Sequence, residues 1–271
     1  MNKLVIIGNG FDLAHGLKTR YSDFMLWYLK RSLEIAIKKG RHEDKLISLS
    51  TAHSKYRKTF QINHLKDFKP EINSVKYSLK ESGFLKLLLE NADDYNWVDI
   101  ESEYYKSLVY WYNEIQLADK RVKKLHNIQL LSLNESLNCI KKNLIEYLNS
   151  LELEMVQKNQ TISNHIDELM ESIKKRNENA PFSESQICFL NFNYTSIIDT
   201  YLKKYNTSEY NFSVINIHGN LKDMDSIIFG YGDLIDSNYE NLENAHNNEY
   251  LKHVKHFYYF QRQKFHELIR F

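Results

Sequence analysis

The sequence is short of the residues that interrupt or cross-link a chain. Its 271 residues include 2 prolines, 2 cysteines and 8 glycines. Because few prolines mean few obligatory breaks in a helix, this composition predicts a helix-rich protein. Cys139 and Cys188 are too few and too far apart to form a disulfide framework or a cysteine-based metal site. We therefore expect a protein of the reducing cytoplasm.

Charge of one sign and long apolar runs are also missing. The formal net charge is +1, from 36 basic and 35 acidic residues, so no field over the whole chain attracts nucleic acid or an anionic membrane. No window approaches the roughly 20 apolar residues that a membrane-spanning helix needs. The N-terminal apolar stretch at residues 4–7 is too short for a secretion signal. These absences argue against membrane-bound, exported and nucleic-acid-binding proteins.

The few glycines that are present have an uneven distribution. Six of the eight lie in two clusters near the ends of the chain, which are Gly8, Gly10 and Gly16, and Gly219, Gly230 and Gly232. Apolar runs at residues 4–7, 214–217 and 227–229 precede them. Short apolar runs are typical of buried parallel strands, and open parallel sheets bind ligands at the carboxyl ends of their strands. The layout predicts an α/β fold with one split nucleotide-type site.

The same layout predicts the domain organisation. Residues 1–20 and 182–271 are expected to form a Rossmann-like core with a parallel sheet, and residues 21–181 an all-helical insertion. Strands are predicted at residues 3–8, 185–191, 212–217 and 227–229, with a loop at residues 9–20. Helices are predicted from apolar spacing at residues 21–39, 44–60, 77–91, 97–111, 115–156, 162–175, 195–204 and 241–271.

The first candidate motif is the loop of residues 8–16, GNGFDLAHG. It is neither the dinucleotide fingerprint nor a P-loop, because the third glycine is displaced and the GK[ST] ending is missing. A strand followed by G-x-G still lets backbone amides approach a pyrophosphate closely. Asn9, Asp12 and His15 add polar groups at the same edge. The alternative is a tight turn that binds no ligand.

Two further motifs follow predicted strands in the second half of the chain. In residues 190–195, LNFNYT, Asn193 is suited to bind a ribose or an amide, and Thr195 to cap the next helix. In residues 217–219, His218 stands at the end of a strand and is a natural general base near neutral pH. The alternatives are that these residues serve only a turn or the core.

The fourth motif is residues 229–233, FGYGD. Gly230, Tyr231 and Gly232 are expected to press against a ligand, with Asp233 as a hydrogen-bond acceptor. A simple turn is the alternative. Because each of the four motifs follows a predicted strand, we expect all four to meet at one edge of the sheet.

Weaker signals have simpler explanations. His253 and His256 share a helical face, several acidic residues occupy positions 93–103, and four basic residues occupy positions 120–124. Metal or nucleic-acid contacts are one interpretation of these groups, but solvated helical surfaces are the preferred explanation of all three. No metal is expected.

Together, the four motifs resemble the bacteriophage abortive infection AbiH family. The resemblance is carried by LVIIGNGFDLAHGLKTRYSDF, LNFNYT, INIHG and IIFGYGD, and residues 97–101, WVDIE, are similar to the family's tryptophan-acidic segment. That family is in turn distantly similar to sirtuin-like NAD-binding proteins, which implies a Rossmann-like fold. This chain lacks the zinc-binding cysteine quartet of the sirtuins, so a protein deacetylase is not expected.

The resemblance also implies roles for individual residues. The loop from Gly8 to Asp12 matches the sirtuin glycine loop that holds NAD, although Asn9 replaces a small residue. Asn193 matches the ribose-binding asparagine, and His218 matches the catalytic histidine. The candidate catalytic residues are thus His218 and Asn193. The candidate cofactor-binding residues are Gly8, Asn9, Gly10, Phe11, Asp12, His15, Tyr194, Thr195, Gly219, Gly230, Tyr231, Gly232 and Asp233.

The resulting expectation is a phage-defence protein that binds NAD, as substrate or ligand, or a related nucleotide, and acts as an NAD hydrolase on the nicotinamide–ribose bond. One alternative is a non-catalytic sensor that acts through a partner protein or a homo-oligomer and carries an unpaired apolar face on its insertion. Another is a nucleic-acid-directed toxin that uses a metal on Asp99 and Glu101. Relatives in the family usually continue into a further strand. A second expectation from the resemblance is therefore that this chain is a shortened member of the family.

Overall fold

A computed structural model describes residues 2–51, 62–68, 71–72, 75–91, 99–151, 153, 156–179, 185–232 and 236–271. The chain divides into two compact units. The first comprises Met1–Thr19, Leu148–Ile228 and His256–Phe271, and the second comprises Arg20–Tyr147 and Phe229–Lys255. The predicted domain boundaries at residues 20 and 181 stay predictions.

The secondary structure mixes strands and helices along the chain. The strands are β1 (Lys3–Ile7), β2 (Arg41–Glu43), β3 (Ile47–Thr51), β4 (Glu71–Ile72), β5 (Val75–Glu81), β6 (Ile187–Asn191) and β7 (Phe212–Asn216). The helices are α1 (Asn9–Leu13), α2 (Tyr21–Lys39), α3 (Gly83–Glu90), α4 (Ile100–Leu117), α5 (Lys120–Asn149), α6 (Gln160–Asn179), α7 (Ile197–Leu202), α8 (Ser237–Asn244), α9 (Asn248–Leu251), α10 (Lys255–Gln261) and α11 (Lys264–Arg270).

The first unit is built on a parallel sheet with the strand order β1-β6-β7. All five residues of the central strand β6 are buried, as expected for a parallel strand that is covered on both faces. Ile7 pairs with Asn191, and Asn191 pairs with Asn216, so the three strands end at one level. The strands predicted at residues 3–8, 185–191 and 212–217 are confirmed.

Alternate side chains of β6 and β7 enter two different clusters, whereas in β1 only Val5 and Ile7 are packed, and Leu4 and Ile6 are 48% and 68% exposed. One face packs against α6 and α7, and its cluster includes Ile7, Phe189, Ile166, Met170, Ile198 and Tyr201. The other face packs against α10 and α11, and its cluster includes Cys188, Leu190, Ile215, Tyr259, Phe265 and Leu268. The result is a mixed α/β unit with helices on both faces. Its assignment as Rossmann-like or sirtuin-like stays a prediction.

The second unit contains an antiparallel sheet with the order β2-β3-β5-β4. The expectation of an all-helical insertion is therefore wrong. The helix predicted at residues 44–60 is replaced by β3 in its described part, and the first residues of the helix predicted at 77–91 belong to β5. Only the later part of that second prediction is helical, as α3.

The local sequence explains these two strands once their neighbours are known. In β3 the buried Ile47 and Leu49 alternate with the more exposed Ser48 and Ser50, which is the two-residue period of a strand. Before it, the Asp44 carboxylate accepts hydrogen bonds from two backbone N–H groups at 2.8 and 3.0 Å. This turn connects β2 to β3, which pair antiparallel. The alternation is too short to be decisive in the sequence alone.

Most of the other helix predictions hold. The helix at residues 21–39 is confirmed as α2, and the described parts of those at 97–111, 162–175 and 195–204 correspond to α4, α6 and α7. The long pattern at 115–156 divides into the end of α4 and the unbroken α5. The division lies at Asp119, whose carboxylate accepts from the N–H groups of Arg121 and Val122 at 2.9 and 3.0 Å. This contact caps the start of α5.

Three predictions need correction. The loop predicted at residues 9–20 contains the short helix α1. The strand predicted at 227–229 is not a strand, although its residues are buried and Ile228 N–H donates to the His218 carbonyl at 2.9 Å. The helix predicted at 241–271 is broken into α8, α9, α10 and α11, with positive φ angles at His246 and Gln263. Within the described residues, no helix is long and apolar enough to cross a membrane.

Candidate functional site

Three of the four motifs meet at the carboxyl edge of the parallel sheet. The Phe192 N–H donates to the Ile7 carbonyl at 2.8 Å, and the Ile217 N–H donates to the Asn191 carbonyl at 3.0 Å. His218 follows Ile217 directly. The segments after β1, β6 and β7 are thereby brought together at one edge, as the strand-end positions of the motifs predict.

Asp12 links two of these segments through a buried carboxylate. Only 2% of Asp12 is exposed. Its two oxygens accept hydrogen bonds from the Asn193 amide at 3.0 Å and the Thr195 hydroxyl at 2.7 Å. The Asn193 amide also donates to the Gly8 carbonyl at 3.1 Å. Burial raises the pKa of Asp12, while the bonds from Thr195 and Asn193 and the nearby His15 oppose that rise. Asp12 therefore fixes Asn193 beside the glycine loop.

The predicted site residues Tyr194 and Thr195 both donate side-chain hydrogen bonds within the chain. The helix-capping role predicted for Thr195 is wrong, because Ser196 is the N-cap of α7 and the Thr195 hydroxyl goes to Asp12 instead. The Tyr194 hydroxyl donates to the Ile228 carbonyl at 3.0 Å. The contacts of Tyr194 and Thr195 thus hold the segment after β6 in place.

A pocket of about 380 Å³ opens beside the glycine loop. Its walls come from β1, α1, α6, β6 and α7, and they include Ile6, Gly8, Gly10, Phe11, Ile162, His165, Ile166 and Leu169. A Cβ atom added to Gly8 or Gly10 would meet no atom within 4 Å, and neither glycine has a positive φ angle. The packing of the described chain therefore does not require glycine at these two positions. The space beside them is open to a ligand.

His15 and Asn9, the two remaining polar residues of the loop, make hydrogen bonds within the chain. The His15 Nδ1–H donates to the Phe11 carbonyl at 2.7 Å, and Nε2 lies 2.5 Å from the Tyr201 hydroxyl. The ring lies against Phe11 and Tyr201. The Asn9 amide oxygen accepts from the Thr19 hydroxyl at 2.5 Å. His15 and Asn9 thus shape the loop, and contact of either with a nucleotide stays a prediction.

His218 is held in the tautomer that a general base needs. Its Nδ1 lies 3.2 Å from the Phe192 carbonyl, which can only accept, so Nδ1 carries the proton of the neutral ring. Nε2 then carries the lone pair. The ring stacks on Tyr259 with centroids 6.0 Å apart, and Phe192 packs against it edge-on at 5.3 Å. This packing fixes the direction of the basic nitrogen.

The glycines of the later motifs are explained by the packing of the chain itself. Gly219 has a φ angle of +80°, and a Cβ atom there would lie 2.2 Å from the Ser226 carbonyl oxygen. A Cβ atom on Gly230 would lie 2.0 Å from the His253 carbonyl oxygen. Both positions exclude any side chain. A role of these glycines in ligand binding stays a prediction, but it is not needed to explain them.

The fourth motif belongs to the second unit. The Tyr231 side chain is buried, and its hydroxyl donates to the Tyr250 carbonyl at 2.5 Å. Gly232 has a φ angle of +104°, and Asp233 lies outside the described residues. Whether this segment joins the other three motifs at the sheet edge stays a prediction.

A buried ion pair fixes the start of this segment. Glu101 accepts from the Gly230 N–H at 3.0 Å through one oxygen and from the Lys255 ammonium at 2.9 Å through the other. Only 2% of the Lys255 side chain is exposed. The Lys255 N–H also donates to the Tyr231 carbonyl at 2.7 Å. Glu101, a candidate metal ligand in the sequence, therefore serves as the counter-ion of a buried lysine.

Asp99, a second candidate metal ligand, also has a structural role. Asp99 caps α4 by accepting from the Ser102 N–H at 3.0 Å, and the residues at positions 93 and 94 lie outside the described part of the chain. In that described part, no group of three or more histidine, cysteine, aspartate or glutamate side chains is arranged to hold a metal ion.

Several residues that shape these sites have no recognisable signal in the sequence. Tyr201 supports His15, α6 supplies a wall of the pocket, and Lys255 partners Glu101 across 154 positions. The helical periodicity around α6 identifies it as a helix, but it does not place that helix beside Gly8. Pairing of distant residues could be found only from covariation or from the fold.

His253 is a buried histidine in the second unit. Only 7% of the residue is exposed, and its Nε2 has no hydrogen-bond partner among the described residues. The ring packs edge-on against Tyr104 with centroids 5.7 Å apart. Burial lowers the pKa of His253 to about 4, assisted by the positive charges of Lys252 and Lys141. The folded chain thus keeps this ring neutral.

Acid is therefore expected to destabilise the second unit through His253. The pKa of His253 is near 6.5 in the unfolded chain and about 4 in the folded chain. Between these two pH values the unfolded chain binds a proton that the folded chain does not bind, so the free energy of unfolding falls as the pH falls. The loss amounts to roughly 2 kcal/mol by pH 5. His253→Phe should remove this component and flatten the profile relative to the wild type.

Urea unfolding at pH 7.5 and pH 5, followed by tryptophan fluorescence, measures this difference. Two of the three tryptophans, Trp27 and Trp111, lie in the described part of the second unit. Replacement of the exposed His165 with phenylalanine is the control and should leave the wild-type profile. Parallel profiles of His253→Phe and the wild type would contradict the prediction.

Comparison with known proteins gives one match. A family model described as bacteriophage abortive infection AbiH matches residues 4–270. No curated protein and no solved structure matches the chain.

Proposed function

This chain belongs to the bacteriophage abortive infection AbiH family, and from that premise we propose that it defends against phage by acting on a nucleotide. The nucleotide is NAD or a close relative, bound at the carboxyl edge of the parallel sheet in the first unit. The reaction is hydrolysis of the bond between nicotinamide and ribose, which makes the protein an NAD glycohydrolase.

One observation carries this proposal. Gly8 and Gly10 border a pocket of about 380 Å³, and neither a steric contact nor a positive φ angle gives a reason for glycine at either position. Glycine is destabilising without such a reason, because it loosens the unfolded chain. A ligand that approaches the backbone closely supplies the reason, as nucleotides do at strand ends in α/β proteins.

Groups at the same edge of the sheet suit the proposed reaction, although Asn193 and His218 do not themselves line the pocket. As nicotinamide leaves with the bonding electron pair, positive charge develops on the ribose, and a water molecule attacks the same carbon. His218 Nε2 accepts the proton of that water, and the Phe192 carbonyl holds the ring in the correct tautomer. Asn193, fixed by Asp12, orients the ribose. The products are ADP-ribose, nicotinamide and one proton.

Filling the pocket tests where the nucleotide binds. Gly10→Leu places a side chain in the open space beside Gly10, so we expect the affinity for NAD and ADP-ribose to fall at least about tenfold, or about 1.4 kcal/mol. Isothermal titration calorimetry measures the affinity, and a thermal melt confirms that the variant is folded.

Gly83→Leu is the matched control for this experiment. Gly83 also has open space beside it, but it lies at the start of α3 in the second unit. This variant should bind the nucleotide as the wild type does. Equal affinity of Gly10→Leu and the wild type would contradict the assignment of the pocket, and absence of binding by the wild type would contradict the proposed function.

One observation favours a second candidate function, the non-catalytic sensor. That function requires an unpaired apolar face, and the outer side of α5 exposes Leu125, Ile128 and Leu131. A sensor would bind the nucleotide without releasing nicotinamide and would pass its state to a second protein. Assay of nicotinamide release separates the two candidates.

A further inference from the structure

The first half of α5 exposes large apolar side chains on one side. Leu125 is 61% exposed, Ile128 is 51% exposed and Leu131 is 45% exposed. Leu130, Leu133 and Leu137 on the opposite side are buried in the second unit. The helix is therefore apolar on both sides over this stretch, although one side contacts solvent.

The exposed leucines and isoleucine belong to a continuous strip. At about 100° per residue, positions 121, 124, 125, 128, 131, 132 and 135 fall within about 120° of the helix surface. Arg121 and Lys124 lie at one end of this strip and Glu135 at the other, and all three are exposed. The spacing of three and four residues is that of a helix which pairs with another helix. We refer to these seven positions as the α5 strip.

The order of charges along the α5 strip is complementary to that of a second copy in the antiparallel orientation. If a second copy lies antiparallel about a two-fold axis at Ile128, Leu125 faces Leu131 of the other copy. Arg121 then faces Glu135, and the same contacts recur on the other side of the axis. In a parallel arrangement Arg121 would face Arg121, and Glu135 would face Glu135. Opposite charges therefore coincide only in the antiparallel pairing.

Glu135 also has a partner within its own chain. Its carboxylate lies 2.9 Å from the Lys45 ammonium, and both side chains are more than half exposed. Such an exposed pair contributes little to the stability of the chain. A carboxylate can accept several hydrogen bonds, so the contact with Lys45 leaves capacity for Arg121 of another copy.

We propose that the α5 strip is a self-association surface on which a second copy of this chain packs antiparallel to form a two-fold dimer. The apolar centre supplies the burial, and the two reciprocal pairs of Arg121 with Glu135 set the direction. The paired stretch of 15 residues is about 22 Å long, so the dimer should dissociate on dilution. The proposal is independent of nucleotide binding.

Charge reversal tests the direction as well as the surface. Sedimentation velocity of the full chain from about 1 to 300 µM should show a monomer–dimer equilibrium in the wild type. Arg121→Glu or Glu135→Arg alone should weaken association at least about tenfold, whereas the double variant should return it to near the wild-type value. Ile128→Glu should abolish the dimer, and circular dichroism confirms that each variant is folded.

Glu168→Arg, a charge reversal at an exposed position on α6, is the control and should leave the equilibrium unchanged. A wild type that stays monomeric throughout would overturn the proposal. Association that none of the α5 variants alters would also overturn it, and a double variant as weak as the single ones would exclude the antiparallel pairing. His218→Ala should dimerise normally, so failure of the proposed reaction leaves this test unaffected.

Discussion

Replacing Glu101 with alanine is expected to lower the free energy of unfolding of the second unit by about 3–5 kcal/mol. The substitution leaves the Lys255 ammonium, 2% exposed, without the carboxylate that lies 2.9 Å from it. It also removes the acceptor of the Gly230 N–H. Breaking a buried ion pair on one side is costly because the remaining charge stays in a medium that solvates it poorly.

Chemical unfolding followed by tryptophan fluorescence measures this loss. Glu90→Ala is the matched control, because Glu90 pairs with Lys86 on the surface of the same unit at 3.7 Å, with both side chains at least 60% exposed. It should cost less than about 1 kcal/mol. A neutral pair, Glu101→Gln with Lys255→Met, should recover much of the stability. A loss below about 1 kcal/mol for Glu101→Ala would contradict the prediction.

Replacing His218 with alanine is expected to slow nicotinamide release from NAD by about 10²–10⁴-fold, the usual contribution of a positioned general base. The Nδ1–H bond to Phe192 and the stack on Tyr259 direct Nε2 in the native site, and alanine removes that nitrogen. Purified protein incubated with NAD and analysed by chromatography gives the rates of the variant and the wild type.

Two further variants make this result specific. His218→Asn keeps an N–H donor for the Phe192 carbonyl but lacks the basic Nε2, so it should be as slow as the alanine variant. His266→Ala, at an exposed position on α11, should retain the wild-type rate. Release that survives in His218→Asn would refute the general-base role. Nucleotide binding without release by the wild type would favour the sensor.

The parts of the fold that the sequence predicts are those with strong local patterns. The short apolar runs at residues 4–7 and 187–190 predict strands, although only the second is buried throughout, whereas Leu4 and Ile6 of the first are exposed. Helix α2 has a clear periodicity and an end at Gly40. By contrast, β2 reads Arg-His-Glu, and its pairing with β3 depends on residues that no local pattern identifies. The antiparallel sheet therefore cannot be predicted from the sequence alone.

The candidate site shows a similar division. Strand-end positions predict that Asp12, Asn193 and His218 lie near one edge, and the contacts agree. The sequence cannot tell a glycine that serves a ligand from one that serves packing, so Gly10 and Gly230 look alike in it. Their difference lies in a distance of 2.0 Å from an added Cβ atom to the His253 carbonyl, against open space at Gly10.

The hydrogen bonds of Asp12 have a consequence for synthesis of the protein. Its partners Asn193 and Thr195 are 181 and 183 positions further along the chain. A growing polypeptide that has emerged from the ribosome only as far as the end of α6 holds Asp12 and the glycine loop but neither partner. The hydrogen bonds that hold Asn193 beside the glycine loop therefore form only after about seven tenths of the 271 residues have been synthesised, and a fragment that ends before Asn193 lacks them.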